Sequence, residues 1–485
     1  MDDEKSSIFS YMHDIMLWQR RSVMFDEIHE ECGVFGAYRV DNAASITYYG
    51  LHSLQHRGQE ASGIAVSDGE NITLQKGKGL TVDVFQKEKL DSMVGRLAVG
   101  HVRYSTAGGQ ENENIQPIVS KGHNGSLAIV HNGQIVNEKE LRIELENEGA
   151  IFQGTSDSEI ILHLIQKQKG TLKERVMKTA NRIEGAFSFL VMNEDTIYAV
   201  RDRHGLRPLS YAKSKDGYVI SSETCAFEVM GIYESVDLKP GEIVEFHKGI
   251  VKHEFYSTDT DHHMCAMEYI YFSRPDSDIE GINVHAFRKE SGKVLYKEAP
   301  VDADIVIGVP DSSLSAAIGY AEASHIPYEI GLVKNKYVGR TFIQPSQEMR
   351  EKAVRMKLSP VPSIVKGKRI VLIDDSIVRG TTSKKIIKQL RDAGALEIHV
   401  RIASPQITHP CFYGVDISTY DELISAHHSV EEVREIIGAD SLAFISEHAL
   451  FEVAKRNELC TACFTGKYPT ALYSSVWEAN KDHKF

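Results

Sequence analysis

The chain has 485 residues, of which 42% are hydrophobic and 25% are charged, a composition typical of a globular protein with two or three domains. Its formal charge of −13 argues against non-specific binding to nucleic acid, since such binding depends on clustered cationic side chains. No apolar run approaches the roughly 18 residues needed to cross a bilayer, so the sequence predicts a cytoplasmic protein that binds neither membrane nor nucleic acid.

The first 31 residues predict a leader or propeptide rather than part of a domain. They are acid-rich and lack an apolar core, whereas secretory signals have such a core and transit peptides are acid-poor. Met24 is a second candidate start, and translation from it would leave a short acidic leader before Cys32. We therefore expect residues 1–23 to be either disordered or not translated.

Residues 32–262 contain short β-type runs in blocks, interrupted by groups of helical segments, which predicts stacked sheets flanked by helices. The predicted strands are Cys32–Tyr38, Gly63–Ser67, Leu97–Arg103, Leu127–His131, Ala186–Met192, Ile197–Arg201, Tyr218–Ser221 and Ile243–Phe246. The predicted helices are Ala43–Gln55, Glu138–Glu148, Asp157–Gln166 and Leu172–Ile183.

Cys32 opens the first predicted strand, and its position suggests a nucleophile. A cysteine has an unperturbed pKa of about 8.5 and needs a base to become a thiolate, whereas a free α-amine, with a pKa of about 7.7, can serve as that base. Cleavage after Glu31 would place both groups on Cys32. The alternative is an inert cysteine buried in a strand.

Five sequence strings in this half occur in the order found in one enzyme family. They read Cys-Gly-Val-Phe-Gly from Cys32, Gln-His-Arg-Gly-Gln-Glu-Ala-Ser-Gly from Gln55, Gly-His-Val-Arg-Tyr-Ser-Thr-Ala-Gly from Gly100, His-Asn-Gly from His131 and Thr-Ser-Asp-Ser-Glu from Thr155. Together they resemble the glutaminase domain of the N-terminal-nucleophile amidotransferases. The resemblance implies an αββα sandwich over residues 32–262.

The resemblance also implies a role for each matching residue. Cys32 would attack the side-chain amide of glutamine, with its own freed amine as base. Arg103 would bind the α-carboxylate of glutamine and Asp157 its α-ammonium. The Asn132 side chain and the Gly133 N–H would form an oxyanion hole, where they would stabilise negative charge on the amide oxygen.

Each of these residues has a structural alternative. Arg103 would form a surface ion pair, Asn132 and Gly133 a hairpin turn, and Asp157 a helix N-cap. Arg57, in the Gln-His-Arg-Gly string, is a weaker candidate for substrate binding.

After residue 262 the pattern changes to strands that alternate with helices. Strands are predicted at Ile305–Val309, Ile370–Ile373 and Ile398–Ile402, and helices at Leu314–Ala323 and Lys384–Ala393. This alternation predicts a parallel α/β sheet whose ligands bind at the carboxyl ends of the strands.

The loop after the second of these strands, from Asp374 to Ser383, contains two adjacent carboxylates and leads into the next predicted helix. Unpaired N–H groups and the positive end of the helix dipole make the start of that helix an anion site, and paired carboxylates suit sugar hydroxyls or a hard cation such as Mg²⁺. The alternative is a solvated acidic turn. The string resembles the phosphoribosyl pyrophosphate (PRPP) motif of the type I phosphoribosyltransferases, in which the acidic pair holds the ribose hydroxyls and the Gly/Thr loop the 5′-phosphate. The implied ligands are Asp374, Asp375, Ser376, Arg379, Gly380, Thr381, Thr382 and Ser383.

A second loop, Val309 to Ser313, ends the first strand of this half and also opens onto a helix. The resemblance implies that it faces the pyrophosphate and that Ser312 helps Asp374 and Asp375 to place Mg²⁺. The alternative is that Ser312 or Ser313 is a plain helix N-cap.

A cation-rich segment lies between these two loops, from Lys334 to Lys357. A run of charge is usually a solvated surface, but a polyanionic substrate needs such residues. The resemblance implies a flexible lid that closes over PRPP and helps to complete a passage for ammonia. Its predicted substrate-binding residues are Lys336, Tyr337 and Arg340.

The remaining chemistry is carried by cysteines. The Cys460-Thr-Ala-Cys463 pair alone suggests zinc as readily as iron, and free thiols are a third interpretation. The sequences flanking Cys265, Cys411 and this pair resemble the iron–sulfur subgroup of the amidophosphoribosyltransferases, which implies that these four cysteines hold a [4Fe–4S] cluster. Cys225 is predicted to be a packed core residue.

The combined resemblance runs from about Cys32 to Pro469, in the domain order of the amidophosphoribosyltransferases. Residues 263–485 would then form the phosphoribosyltransferase domain, with a C-terminal helical and iron–sulfur segment. The implied reaction hydrolyses glutamine and uses the ammonia to displace pyrophosphate from C1 of PRPP, giving 5-phosphoribosylamine in the first committed step of de novo purine synthesis. The family also implies feedback inhibition by purine nucleotides and a homotetramer or dimer.

Two other functions compete with this one. An amidotransferase of the same N-terminal family could aminate another acceptor, such as a sugar phosphate or aspartate, but the Asp374 to Ser383 motif argues against it. A non-catalytic PRPP sensor is disfavoured because Cys32, Arg103, Asn132 and Asp157 are all present.

Overall fold

The computed structural model describes residues 32–104, 112–122, 125–335, 358–417 and 419–471. Two parts of it are referred to below as the N-terminal half, residues 32–262, and the C-terminal half, residues 263–471. No helix among the described residues is both long enough and apolar enough to span a membrane.

The N-terminal half is built on two antiparallel sheets. Its strands are β1 (Gly33–Tyr38), β2 (Ala61–Ser67), β3 (Ile72–Lys78), β4 (Leu97–Arg103), β5 (Ile118–Gly122), β6 (Gly125–Ile135), β7 (Gly185–Met192), β8 (Thr196–Arg201), β9 (Ser210–Lys213), β10 (Tyr218–Ser221), β11 (Val236–Asp237), β12 (Glu242–His247) and β13 (Ile250–Phe255). The first sheet has the order β11-β9-β10-β1-β4-β2-β3, and the second has the order β13-β12-β8-β7-β6-β5.

Helices cover the outer faces of both sheets. They are α1 (Ala43–Ser53), α2 (Thr81–Val84), α3 (Lys87–Ser92), α4 (Glu138–Asn147), α5 (Ser158–Lys167), α6 (Leu172–Arg182) and α7 (Cys225–Glu228). Because side chains alternate along a strand, Val34 of β1 packs between the two sheets, whereas Phe35 packs outward with Leu51 of α1. On the other side, Ile129 of β6 packs outward with Ile161 of α5. The result is the predicted αββα sandwich.

The C-terminal half contains a four-stranded parallel sheet of order β17-β20-β21-β22 with helices on both faces. Its strands are β14 (Met264–Cys265), β15 (Asp278–Ile279), β16 (Ile282–Asn283), β17 (Ile305–Gly308), β18 (Leu332–Lys334), β19 (Leu358–Pro360), β20 (Arg369–Asp374), β21 (Glu397–Ile402), β22 (Ser441–Phe444) and β23 (Leu459–Cys460). Its helices are α8 (Val284–Glu298), α9 (Leu314–Ser324), α10 (Pro362–Val365), α11 (Thr381–Asp392), α12 (Ile424–His427), α13 (Val430–Ile437), α14 (Glu447–Ala454) and α15 (Ala462–Thr465).

The faces of this sheet belong to separate hydrophobic clusters. Val371 and Ile373 of β20 pack with α8 and α9 on one face, and Ile370 and Leu372 pack with α11 and α13 on the other. Both faces are therefore buried, as parallel sheets require. The loops that follow β17 and β20 lie together at the carboxyl end of the sheet, since the two strands are paired neighbours.

Most predicted elements agree with the structure to within a few residues. The limits of β4 and β10 match the prediction at both ends, and β6 is longer than predicted. Helix α8, which is fifteen residues long, was not predicted from the sequence. Gly292 in its interior is a poor helix former, but a Cβ there would lie 1.9 Å from the Ala316 carbonyl, so the close packing of α8 on α9 requires glycine.

Candidate functional site

Cys32 lies directly before β1, at the N-terminal end of this central strand of the first sheet. Its thiol is half-buried and its Sγ donates to the Tyr104 carbonyl at 3.5 Å. Gly33 pairs with Val102 of β4. If this antiparallel register is extended by one residue, Cys32 lies beside Arg103. Arg103 is only 5% exposed, so the surface ion pair considered as its alternative does not describe its position.

A buried ionic cluster lies behind Cys32. Arg57 donates through Nε to the Cys32 carbonyl at 3.1 Å and through its Nη atoms to Glu223 and Glu268. His56 Nε2 lies 2.7 Å from Glu223 Oε1. Burial alone would raise the pKa of the Glu268 carboxyl, but Arg57 and then Arg207 hold that pKa well below its usual range. Arg57 therefore contacts the backbone of the predicted nucleophile, and its predicted role in substrate binding stays a prediction.

Asn132 and Gly133 lie inside β6, so they do not form the hairpin turn considered as an alternative. Gly133 has φ of +135°, and a Cβ there would lie 2.0 Å from the Ala186 carbonyl, so this position requires glycine. Asn132 is 1% exposed, and within the described ranges neither its side-chain nitrogen nor its side-chain oxygen has a hydrogen-bond partner. A buried amide of this kind is costly unless a ligand pairs with it.

The strand that carries Asn132 is held on both sides. His101 Nε2 of β4 lies 3.1 Å from the His131 carbonyl, which joins β6 to the sheet that carries Cys32. Gln116 Oε1 accepts from the His131 N–H at 2.6 Å. Burial, and then the nearby Arg103, lower the pKa of His101 to about 3, so this imidazole is neutral. These contacts tie the strand that carries Asn132 to β4, the strand that pairs with β1 directly after Cys32.

Asp157 precedes α5, but its side chain does not cap that helix. Its Oδ2 instead accepts from the Ile135 N–H of β6 at 3.0 Å. Burial disfavours the charged form of Asp157, yet His131 and these hydrogen bonds hold the pKa of the carboxyl below its ordinary value. Burial, and then the charge of Asp157, raise the pKa of Glu138 at the start of α4 to about 8. One of these two neighbouring carboxyls is therefore charged at neutral pH and the other is protonated.

The second candidate site lies at the end of β20. Asp374 and Asp375 are each 8% exposed, and both are contacted by the loop after β17. Ser312 donates to Asp375, and Ser313 donates to Asp374 Oδ1 at 3.2 Å and to Asp375 Oδ2 at 3.4 Å. Ser313 stands at the N-cap position of α9 without a capping bond, so the plain N-cap alternative does not hold for it. Ser376 donates to Asp375 Oδ1 at 2.7 Å.

The predicted phosphate loop continues into α11. Gly380 has φ of +77°, which favours glycine, and it directly precedes Thr381, the first residue of the helix. Ser383 is buried in the first turn, Thr382 is half-buried and Thr381 is exposed. Arg379 forms an ion pair with Glu422 at 2.8 Å. The backbone N–H groups of this first turn lie where the sequence analysis placed the 5′-phosphate.

A buried arginine stands behind the two carboxylates. Arg288 of α8 lines a small cavity together with Asp375, Ser312 and Ser313. It donates to the Tyr269 carbonyl at 2.7 Å and to the Ser273 carbonyl at 2.8 Å. Burial raises the pKa of the Asp375 carboxyl, against the effects of the serine hydroxyls and Arg288.

The four predicted cluster cysteines come together from three segments. Cys265 of β14 is paired in register with Cys460 of β23. The carbonyl of Cys463 accepts from the Thr408 and His409 N–H groups, both at 3.0 Å, which brings the segment before Cys411 close. Burial raises the pKa of the Cys463 thiol, and Cys411, Cys265 and Cys460 raise it further. In the described segments, however, no three His, Cys, Asp or Glu side chains form a group that could hold a metal ion.

Some predicted residues are not covered. The leader 1–31 and the lid 336–357, with its candidates Lys336, Tyr337 and Arg340, lie outside the described residues. Cys225 is fully buried, as predicted.

Sequence reasoning missed several buried charged residues that support the two sites: Glu223, Glu268 and Arg288. Glu268 follows Cys265 closely, but it has no local pattern that reveals its partner. Charged residues within otherwise apolar runs, such as Glu268 between Met267 and Tyr269, are the one signal that the sequence offers.

Comparison with known proteins gives consistent similarities. A family model described as a glutamine amidotransferase domain matches residues 101–229. An amidophosphoribosyltransferase of Bacillus subtilis is 54% identical over 457 residues, covering 93% of this chain and 96% of that protein. One from Staphylococcus aureus is 50% identical over 465 residues, covering 94% of each.

Solved structures show the same similarity in three dimensions. A glutamine PRPP amidotransferase from B. subtilis, in complex with ADP and GMP, superposes with a TM-score of 0.87 at 53% identity, covering 91% of this chain and 98% of that one. A structure described as the allosteric regulatory enzyme of purine biosynthesis has a TM-score of 0.88 at 54% identity, covering 91% of this chain and 97% of that one.

Proposed function

Since the chain belongs to the amidophosphoribosyltransferase family, we propose that its two sites divide one reaction between them, with glutamine hydrolysed in the N-terminal half and PRPP aminated in the C-terminal half. The overall reaction takes ammonia from glutamine and transfers it to C1 of PRPP. It releases pyrophosphate and forms 5-phosphoribosylamine for purine synthesis. We assign the glutaminase domain to residues 32–262 and the phosphoribosyltransferase domain to residues 263–485.

The observation that supports the glutamine site most strongly is the buried Asn132 amide, which lacks a hydrogen-bond partner in the part of the chain that the structure describes. Its side-chain nitrogen is suited to donate to an oxyanion, together with the Gly133 N–H. Asp157 is charged and reaches the same strand through Ile135. Arg103 extends from the end of β4 beside Cys32. One carboxylate and one guanidinium match the ammonium and carboxylate of an amino acid.

The chemistry at this site follows from those groups. The amine of Cys32 takes the thiol proton as Sγ attacks the glutamine amide carbon, and the oxyanion is stabilised by Asn132 and Gly133. When the C–N bond breaks, the amine returns the proton to the departing nitrogen, which leaves as ammonia. Water then hydrolyses the thioester to glutamate and the free thiol.

This mechanism requires Cys32 to be N-terminal. We therefore propose that the bond after Glu31 is cleaved and that residues 1–31 are a leader. Intact-mass measurement of protein from its native source tests the proposal, and a mature N-terminus at any residue other than Cys32 contradicts the nucleophile assignment.

At the second site, we assign the ribose hydroxyls to Asp374 and Asp375 and the 5′-phosphate to the loop from Ser376 through Arg379 to Ser383. The first turn of α11 supplies N–H donors for the phosphate. Ammonia forms a bond to C1 as the bond to the pyrophosphate oxygen breaks, and it then loses a proton. Lys336, Tyr337 and Arg340 remain proposed contacts to PRPP from the lid.

The same carboxylates fit a magnesium ion. Magnesium is held by one or two carboxylates together with substrate phosphates, and Asp374 and Asp375 lie with the Ser312 hydroxyl in one oxygen-rich loop pair. When bound, the ion would neutralise charge on the leaving pyrophosphate. Asp374, Asp375 and Ser312 would orient it.

We also propose that Cys265, Cys411, Cys460 and Cys463 hold a [4Fe–4S] cluster. The proposal is supported by the convergence of these four thiols from three segments of the chain. Among the described residues no three His, Cys, Asp or Glu side chains form a group that could hold a metal ion, so metal analysis has to decide between iron, zinc and neither. The cluster would have a structural role.

Iron and zinc analysis of anaerobically purified protein separates the two metals. Protein that contains neither metal contradicts both the cluster and the zinc interpretation.

The remaining assignments are the cytoplasm as location, purine nucleotides as feedback inhibitors and a homotetramer or dimer as the assembly. The nucleotide assignment is supported by the relative solved with ADP and GMP. Sedimentation with and without these nucleotides tests both the assembly and the binding.

The central test is pyrophosphate release from PRPP, measured with glutamine and separately with ammonium chloride. Both nitrogen sources should give 5-phosphoribosylamine. Amination of another acceptor, without pyrophosphate release, would support the alternative amidotransferase function. PRPP binding without turnover would support the sensor.

A further inference from the structure

One cluster of buried charges joins the two halves of the molecule and also contacts the backbone of the predicted nucleophile. Glu268 belongs to the C-terminal half and Arg57 to the N-terminal half, and both side chains are fully buried. The carboxylate of Glu268 accepts two hydrogen bonds, from Arg57 Nη1 at 2.9 Å and Nη2 at 2.7 Å. Such a two-point contact fixes the plane of the guanidinium as well as its position.

The third side of that guanidinium faces Cys32. With its Nη atoms bound to Glu268 and Glu223, Arg57 directs Nε toward the Cys32 carbonyl, to which it donates at 3.1 Å. After cleavage before Cys32, this residue would be joined to the rest of the chain only through its carbonyl carbon. A contact to the carbonyl then limits rotation of the thiol and the amine together, and these are the two groups that must act on one substrate atom.

We infer that Glu268 is a positioning residue of the glutamine site: through Arg57, a side chain of the phosphoribosyltransferase half orients the nucleophile of the glutaminase half. The inference rests on the proposed role of Cys32. Glu268 begins a short π-helical turn, Glu268–Phe272, and its Oε2 also accepts from the Ser273 hydroxyl at 2.7 Å, so its carboxylate is itself firmly held. Arg207 Nη1, at 3.4 Å from Oε1, is a second cationic contact from the N-terminal half.

The structure provides a matched control. Glu280 is another largely buried carboxylate of the C-terminal half, and it accepts from Arg201 of the N-terminal half at 2.7 Å and contacts His262 Nε2 at 2.9 Å. In the part of the chain that the structure describes, none of the hydrogen bonds of Glu280 reaches Arg57. Glu280→Gln therefore weakens the junction between the halves while leaving the contact to Cys32 in place.

The experiment compares Glu268→Gln with Glu280→Gln in full-length, mature protein. Glutamine keeps the shape of Glu268 but presents an amide N–H₂ to one arm of the guanidinium, which removes the two-point contact. We expect kcat for glutamine hydrolysis to fall about 100-fold in Glu268→Gln, with KM for glutamine changed by less than about threefold. Ammonia-dependent synthesis should be retained in the same preparation, and Glu280→Gln should lose neither activity.

A double-variant cycle tests whether Glu268 acts through Arg57. Arg57→Lys keeps the positive charge but removes the Nε donor, so it should cause a similar fall in kcat. Combining it with Glu268→Gln should cause little further loss, because Glu268 acts on Cys32 through the Arg57 guanidinium, which Arg57→Lys already removes. Additive losses would contradict the inference.

Other outcomes also decide the question. Equal losses in Glu268→Gln and Glu280→Gln would show a general effect of the junction and overturn the inference, as would normal glutamine hydrolysis in a folded Glu268→Gln protein. If Glu268→Gln does not fold, the second variant is Glu268→Asp, which keeps the charge on a shorter side chain. It should show the same selective fall in kcat. If Glu268→Asp also fails to fold while Glu280→Gln folds, Glu268 is only structural. If the proposed function itself is wrong, the unsubstituted protein will show no glutamine-dependent pyrophosphate release.

Discussion

The proposed glutamine site and the proposed PRPP site differ in how their polar groups are satisfied. At the glutamine site, strands of two sheets bring Cys32, Arg103 and Asn132 together, and the Asn132 amide has no hydrogen-bond partner within the described ranges. At the PRPP site, Asp374 and Asp375 already accept hydrogen bonds from Ser312 and Ser313 of the neighbouring loop.

This difference has an energetic consequence. A ligand at the glutamine site gains a hydrogen bond from Asn132 without displacing an existing contact in the described structure. A ligand at the PRPP site must replace bonds that the two loops make to each other, so part of its binding energy goes to rearranging them. Binding to the Asn132 amide therefore needs no such rearrangement, whereas the second site is expected to adjust as it binds.

The largest expected effect separates the two sites completely. Cys32→Ala removes the nucleophile, so glutamine-dependent synthesis should fall by a factor on the order of 10⁴ to 10⁶. Synthesis from ammonium chloride at alkaline pH, where free ammonia is abundant, should be largely retained, because the second site does not use the thiol. Loss of the ammonia-dependent rate in a folded Cys32→Ala protein would contradict the division into two sites.

The complementary change should act on both nitrogen sources. Replacing Asp374 and Asp375 with Asn removes the negative charge that binds ribose hydroxyls and a cation, so both synthetic rates should fall roughly 10³-fold, as expected when several kcal/mol of ion-assisted stabilisation is lost. Glutaminase activity without PRPP should persist. If the ammonia-dependent rate is preserved in this variant, PRPP binds elsewhere.

A third change tests whether the Asn132 amide is reserved for substrate. Asn132→Ala should lower the glutamine-dependent kcat by about 10² to 10³, the usual loss for one oxyanion-hole donor. It should not lower Tm, because the amide makes no hydrogen bond in the described structure.

The control for this change is Asn114→Ala. Asn114 binds Thr155 and Ser156 through three hydrogen bonds, so its loss should lower Tm. A lower Tm in Asn132→Ala as well would show that Asn132 is structural.

The same contrast explains what could be predicted from sequence. The strands next to Cys32 and Asn132 and the strand that carries Arg103 were predicted because apolar and β-branched residues recur within a few positions, and the site strings are local. The predicted strand Leu127–His131 ended one residue before Asn132, whereas β6 continues to Ile135. The pair of Arg57 and Glu268 spans 211 residues of sequence, and no local pattern reports such a contact. Helix α8 was missed because its interior Gly292 opposes helix formation until α9 packs against it.

The smallest expected effect concerns the charge of Glu138, a neighbour of Asp157 at the start of α4. Burial and the charge of Asp157 raise the pKa of Glu138 from an ordinary value of 4.5 to about 8, while Lys139 and Arg142 oppose the shift. A carboxyl with a raised pKa binds its proton more tightly in the folded state, so its contribution to stability is fully present below pH 4.5 and is lost as the pH rises through 8. Glu138→Gln carries no such charge at any pH.

The Tm of Glu138→Gln should therefore exceed that of the unsubstituted protein by a margin that is small at pH 5 and grows up to pH 9. For a half-buried carboxyl screened by solvent we expect a difference of about 1 kcal/mol at pH 9, which raises Tm by roughly 2–4 °C in a domain of this size. Glu140→Gln, an exposed change in the same helical turn, is the control for the loss of one carboxyl group from α4. If the margin for Glu138→Gln does not change between pH 5 and pH 9, then Glu138 ionises normally and the proposed glutamine site tolerates two adjacent negative charges.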